Sequence, residues 1–190
     1  MSKESLSKKL FFKINNQLGQ RRRLDALMVF CAHWLIFILG AGVLCWGLAV
    51  FEPMAFKQYI KLLLTAMVCG IAASWLTACF VRKHRPVTEF PNLKLLLHPH
   101  QVWKAFPSDH ALLSFILATI PVLVGAPWWL AVVFLSAAGL ISFGRVYVGV
   151  HYPRDVIGGI IYGLFFAVIA YWLLANLTQP AYNFLIDNLV

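Results

Sequence analysis

Three short polar stretches hold the side chains of this sequence that could do chemistry: "VRKHRP" (81–86), "FPSDH" (106–110) and "GRVYVGVHYPRD" (144–155). Among them are Arg85 and Arg145, His110 and His151, the carboxylates Asp109 and Asp155, and Ser108. Guanidinium groups are planar donor forks that suit phosphate oxygens. A histidine oriented by a carboxylate is a nucleophile or a general base. His151 and Asp155 are four residues apart, and Pro153 suits the first turn of a helix, which puts Asp155 near the third helical position. From there a carboxylate can reach back to one nitrogen of the His151 ring and leave the other free to attack. Pro107, Ser108 and Asp109 open a second helix, whose free N–H groups and positive dipole end favour an anion. A nucleophile, an orienting acid, a second histidine, two arginines and a helix N-terminus together are what phosphoryl transfer without a metal requires.

Each feature also has a plainer reading. Ser108 and Asp109 are good helix caps, and Arg85 can anchor a span end by snorkelling. Arg82 and Lys83 read as interface anchors. His33 lies inside an apolar run and reads as a packed or hydrogen-bonded helix histidine. His84, His98, His100 and His110 could be taken as a metal cluster, but no acidic or cysteine partner is spaced with them, so no metal is expected.

The elements that must carry these stretches are membrane helices. The chain has 190 residues, is 61% hydrophobic and only 12% charged, with a mean hydropathy of +0.78. Such composition excludes an ordinary soluble domain and points to lipid. Uncharged runs cover Ala26–Phe51, Leu62–Val81, Ala111–Gly144 and Val156 to Leu177; the third is split at Gly125-Ala126-Pro127 into two short helices. The expectation is an all-α integral membrane protein, a bundle of about five transmembrane helices forming a single domain over 1–190. Asn176, Gln179 and Pro180 should end the last span, leaving a short amphipathic tail.

The N-terminus has no apolar core and no small-residue cleavage site of a signal peptide. Leu6, Leu10, Ile14 and Leu18 recur at helical spacing among lysines, so residues 1–24 read as an amphipathic helix lying in the interface. Cys31, Cys45, Cys69 and Cys79 all fall in apolar runs and read as small buried hydrophobes. The leucines of 87–106, with Trp103 and Phe106, suggest a segment partly sunk in the interface, roofing the site and bordering a lateral entrance for a lipid tail. Ala111–Ala126 would be about 24 Å long as a helix, so its polar start would meet a lipid phosphate at headgroup depth.

The formal net charge is +9. Five crossings would place the three polar stretches and the N-terminal segment, Lys3 included, on one side, with Lys57 and Lys61 on the other. Counted as loop charges, this makes the rich side cytoplasmic.

On its three stretches the chain resembles the type-2 phosphatidic acid phosphatase superfamily. The Arg-Pro of "KHRP", the Pro-Ser-x-His of "PSDH" and the Arg-x5-His-x3-Asp of "RVYVGVHYPRD" have that family's order and spacing over 82–155, the motif-bearing catalytic region. Within it the chain is most similar to bacterial undecaprenyl pyrophosphate phosphatases. The resemblance implies a hydrolase without cofactor, acting on a membrane lipid pyrophosphate through a phosphohistidine. His151 would be the phosphorylated residue and Asp155 its support. His110 would protonate the leaving group and later activate water. Arg85, Ser108 and Arg145 would hold the phosphate, with Lys83 and Asp109 as further candidates. It also implies recycling of the cell-wall carrier lipid at a bacterial cytoplasmic membrane, with the catalytic face outward. That orientation opposes the loop-charge count, much of whose excess lies in the site or on the N-terminal helix.

Other lipid phosphates (phosphatidylglycerol phosphate, phosphatidic acid, lipid A) share the mechanism, and a non-enzymatic transporter or channel is the alternative from another class. Two departures stand out. The lysine usual seven residues before the first-motif arginine is Ala78 here, and the serine usual before the third-motif arginine is Gly144.

Overall fold

The structure is a computed structural model and describes residues 5–90, 92–98 and 103–189. Lys3 and His100 lie outside the described residues. Every apolar run folds as helix. After α1 (Leu6–Asn15) come α2 (Arg22–His33), α3 (Leu35–Val50) and α4 (Pro53–Phe80), then the single turn α5 (Pro86–Glu89). The second half holds α6 (Asp109–Leu123), α7 (Trp128–Tyr147) and α8 (Pro153–Val168). It ends with α9 (Ala170–Leu173), a π-helical turn (Leu174–Thr178) and α10 (Gln179–Leu189). Among the described residues there is no strand.

Helices α4 and α7 are long and apolar enough to cross a bilayer alone. The pair α2–α3 passes as one span bent by 51°, and α8 with the helices after it as one bent by 59°. Central α6 has 15 residues, shorter than the other crossings. The all-α membrane class expected from composition is the one observed.

The last span departs from expectation. Its break falls at Ile169, and the chain stays helical past Pro180. Asn176 Nδ2 donates to the Trp172 carbonyl at 2.9 Å, and Gln179 Nε2 to Asn183 Oδ1 at 2.8 Å, so both amides bond within the helical run. Pro180 sits in the first turn of α10, where a missing N–H is tolerated.

Helix α6 is the core. Leu112, Ile116 and Ile120 are fully buried, with α3, α4, α7 and α8 packed around them. Glycines on α8 set how close that helix comes. A β-carbon at Gly159 would run into the Ser108 carbonyl, and one at Gly163 would lie 2.6 Å from the Leu112 carbonyl. The two backbones therefore touch, as small residues permit between membrane helices. Ser108 N donates to the Asp155 carbonyl at 2.9 Å, tying the second polar stretch to the third.

Helix α1 docks on the ends of α7 and α8. Phe11 and Asn15 are its buried residues: Phe11 meets Tyr152 edge to face at 5.1 Å, while Leu6 and Leu10 stay exposed. Leu93, Leu96 and Leu97 pack inward against Phe11, Leu18, Met28 and the 147–150 turn, so these leucines cover protein instead of lining an open entrance. Cys31 is buried, but Cys45 and Cys79 are exposed on the helix surfaces. His33 stacks edge to face on Trp34 at 4.9 Å.

Candidate active site

The third stretch is shaped by the end of α7. The Arg145 carbonyl accepts from both Val150 N and His151 N at 3.3 Å, and Gly149 takes φ +90°, a conformation that favours glycine. This turn places His151, 3% exposed, just before α8. Asp155 is fully buried in the first turn of α8. Its Oδ2 accepts from Tyr152 N at 3.0 Å and lies 4.0 Å from His151 Nδ1, longer than a hydrogen bond. Asp155 therefore caps its own helix as well as facing the histidine.

Arg145 enters from α7 and Arg85 from the start of α5, each 8% exposed. Arg145 donates to the Ala32 carbonyl at 3.1 Å. The approach of α2 that makes this possible depends on Gly144, where a β-carbon would lie 3.0 Å from Ala32 N. The family's serine is thus absent where Ala32 of α2 comes in close. Arg85 Nε donates to the Lys104 carbonyl at 2.9 Å and its terminal nitrogen to the Val150 carbonyl at 3.3 Å.

Ser108 stands at the N-cap of α6 but makes no side-chain cap bond. Its Oγ, Arg145 Nε, His151 Nδ1 and Asp155 Oδ1 are buried with no hydrogen-bond partner among the described residues. Leaving such a group unpaired costs about 1–3 kcal/mol. Several at one place mark a site shaped for something other than the protein itself. His110, half-buried in the first turn of α6, is near enough for its charge to act on His151.

Burial, reinforced by the charges of Arg85, Arg145 and His110, pushes His151 well below the ordinary histidine range. The ring is therefore neutral at pH 7, the form that can attack. Burial also pulls Arg85 below its usual value, opposed by the charges of Asp109 and Asp155.

The structure thus brings Arg85, Ser108, Asp109, His110, Arg145, His151 and Asp155 to one end of the bundle. Lys83 is not among them: it is exposed in the irregular stretch after α4, and the chain turns inward only at Arg85. Nor did the motifs single out the buried lysine that is present. Lys104, 2% exposed, donates to Ser74 Oγ at 2.7 Å and the Pro107 carbonyl at 3.3 Å, and pairs with Asp109. Its signal was its place three residues before Pro107, in a chain without a lysine at 78. Among the described residues no three His, Cys, Asp or Glu side chains are grouped to hold a metal ion.

Comparison with known proteins agrees with this geometry. Residues 58–179 match the PAP2 superfamily. The chain belongs to that superfamily. Similar sequences include the "Bacitracin transport permease protein BcrC" of Bacillus licheniformis, 27% identical over 92% of this chain and 81% of its own. An "Undecaprenyl-diphosphatase" of Sulfolobus acidocaldarius is 30% identical over 80% of this chain and 71% of its own. Among solved structures, Aquifex aeolicus LpxE superposes with a TM-score of 0.70 at 26% identity, over 90% of this chain and 98% of that one. The protein is a multi-pass helical membrane phosphatase of the PAP2 lipid phosphatase family.

Proposed function

We propose that this single-domain protein (1–190) removes the terminal phosphate of undecaprenyl pyrophosphate. The observation that carries this reading is the gathering of Arg85, Arg145 and His151 at the N-terminus of α6, with Ser108 Oγ and Arg145 Nε buried and without a hydrogen-bond partner among the described residues. Donors aimed at one place suit the spread charge of a transferring phosphoryl group. Nδ1 is the ring nitrogen facing Asp155, so the opposite nitrogen attacks the terminal phosphorus. The bond to the bridging oxygen breaks, and His110 gives its proton to the leaving lipid monophosphate. In the second step His110 takes a proton from water, whose oxygen displaces His151 and releases inorganic phosphate. Asp155 stabilises the ring cation in both steps.

The pyrophosphate lipid is favoured by the name of the Sulfolobus relative and by the resemblance of the "FPSDH" and "RVYVGVHYPRD" stretches. Other lipid phosphates use the same donors and differ only in tail and headgroup. The reading includes a bacterial cytoplasmic membrane with the site facing outward, where the carrier lipid is regenerated for cell-wall export. A transport role is suggested by the name of the Bacillus relative, and the same experiment separates the two.

Phosphate release from undecaprenyl pyrophosphate is measured with detergent-purified protein, with and without chelator, for wild type and His151→Ala. Chelator-resistant release by wild type, lost in the variant, is the expected result. Release that stops with chelator overturns the metal-free mechanism. No release from any lipid phosphate moves the reading to transport.

A further inference from the structure

One buried ion pair of the site has no role in the mechanism above. Lys104 spends all three ammonium donors on Ser74 Oγ, the Pro107 carbonyl and Asp109 Oδ1. Asp109 Oδ1 also accepts from Ser74 Oγ at 2.8 Å. The pair is lopsided: the Lys104 side chain is 2% exposed and that of Asp109 is 29%. A buried ammonium is costly unless paired, and here its counter-ion is the member nearer the outside.

Asp109 is also the shared anion of the site. Its charge acts favourably on Arg85, Lys104 and Arg145 alike. It stands in the first turn of α6, where the dipole favours negative charge. Two hydroxyl or ammonium donors, a helix N-terminus and three neighbouring cations are the surroundings a phosphate oxygen would want. Here the Asp109 carboxylate occupies them.

We infer that Lys104 is a third cation for the substrate's phosphate, and that Asp109 holds its place until phosphate displaces the carboxylate. The location fits the departure at position 78. Ser74, which receives the ammonium, lies one turn before Ala78 on α4, and both are buried. A cation thus reaches the α4 face where the family's lysine is missing, but it comes from the connection between α5 and α6. The displaced Asp109 needs no new partner, since its side chain already borders the exposed side.

This inference rests on the phosphatase reading but not on the lipid's identity, so inorganic phosphate is the probe. Its affinity is measured by thermal shift in detergent and, where release is detected, as an inhibition constant. Asp109→Asn keeps the shape and removes the competing charge; phosphate should bind severalfold more tightly. Lys104→Met should weaken phosphate about ten- to hundredfold, the scale of a lost charged hydrogen bond. The double variant Lys104→Met/Asp109→Asn should remain as weak as Lys104→Met. A double variant restored to wild-type affinity overturns the inference, because Lys104 would then only neutralise Asp109. Unchanged or weaker phosphate binding by a folded Asp109→Asn overturns it as well, even if Lys104→Met fails to fold. Failure of wild type to hydrolyse undecaprenyl pyrophosphate, with phosphate still bound as described, counts against the proposed substrate alone.

Discussion

The two ends of the bundle treat buried polar groups in opposite ways. At the end away from the site, Lys61 Nζ donates to Gln179 Oε1 at 2.9 Å, Thr65 and Thr178 share a 2.9 Å hydrogen bond, and Tyr59 donates to the Val43 carbonyl at 3.3 Å. Each of these groups answers another, as burial demands. At the site end, Ser108 Oγ, Arg145 Nε and His151 Nδ1 are each buried without a hydrogen-bond partner among the described residues. Helix α4 contributes to both ends, through Lys61 and Thr65 at one and Ser74 at the other, so the difference belongs to the groups gathered there. Paired polar groups hold the fold together; unpaired ones are held by the fold.

The largest test of that contrast is Arg145→Met set against Lys61→Met. The first should lower kcat/KM for lipid phosphate release about 100- to 1000-fold, as losing one donor to a developing charge does. The second should leave kcat/KM within twofold of wild type. An equal loss in both would erase the distinction.

Gly144→Val should damage the site through the fold. Its β-carbon would crowd Ala32 N at 3.0 Å, costing about 1–3 kcal/mol by overpacking, read as a lowered midpoint in thermal unfolding in detergent. A fall in kcat/KM should accompany it, because the Ala32 carbonyl that holds Arg145 is displaced.

The acid side of the pH profile sharpens the comparison further. His151 is pushed well below the ordinary range, so the neutral nucleophile should persist below pH 6.5, the usual histidine value. The acid limb of kcat/KM set by this group should lie lower than that. The unfolded chain binds the proton more readily, so this histidine's contribution to stability is full above about pH 6.5 and is lost as pH falls toward its folded value. A limb at or above 6.5 that His151→Ala removes from the stability profile would contradict the burial described here.

The smallest effects are expected where pairs are complete. Thr65→Val should cost about 1 kcal/mol with unchanged turnover. Lys8→Met, which removes the surface pair with Glu89, should cost less than about 1 kcal/mol. Both are read from thermal unfolding.

What the sequence made legible was whatever a local spacing encodes. Hydrophobic runs marked the helices, because a membrane helix must satisfy its backbone internally. Arg145, His151 and Asp155 fall on one helix end, one turn and the next helix start, so their spacing foretold their meeting. The Asp155 reach was only half visible, since the carboxylate also caps α8. Lys104 was missed because an irregular connection has no period from which a direction could be read. The Ala32 carbonyl could not have been read at all, because a backbone acceptor has no side-chain signature. Lys83 stands two residues before Arg85, but nearness in extended chain says little about burial.

The support of the third stretch has a consequence for where this enzyme's working unit begins. The family match starts at residue 58, yet Arg145 hangs on the carbonyl of Ala32. Asn15 donates to the Tyr147 carbonyl at 3.4 Å, Ser7 Oγ accepts from Arg154 N at 3.2 Å, and Phe11 braces Tyr152. All four supports come from the first two helices, upstream of the residues that the family match covers. A swap of segments between relatives that respected only the family boundary would carry across the reactive residues and leave behind their scaffolding.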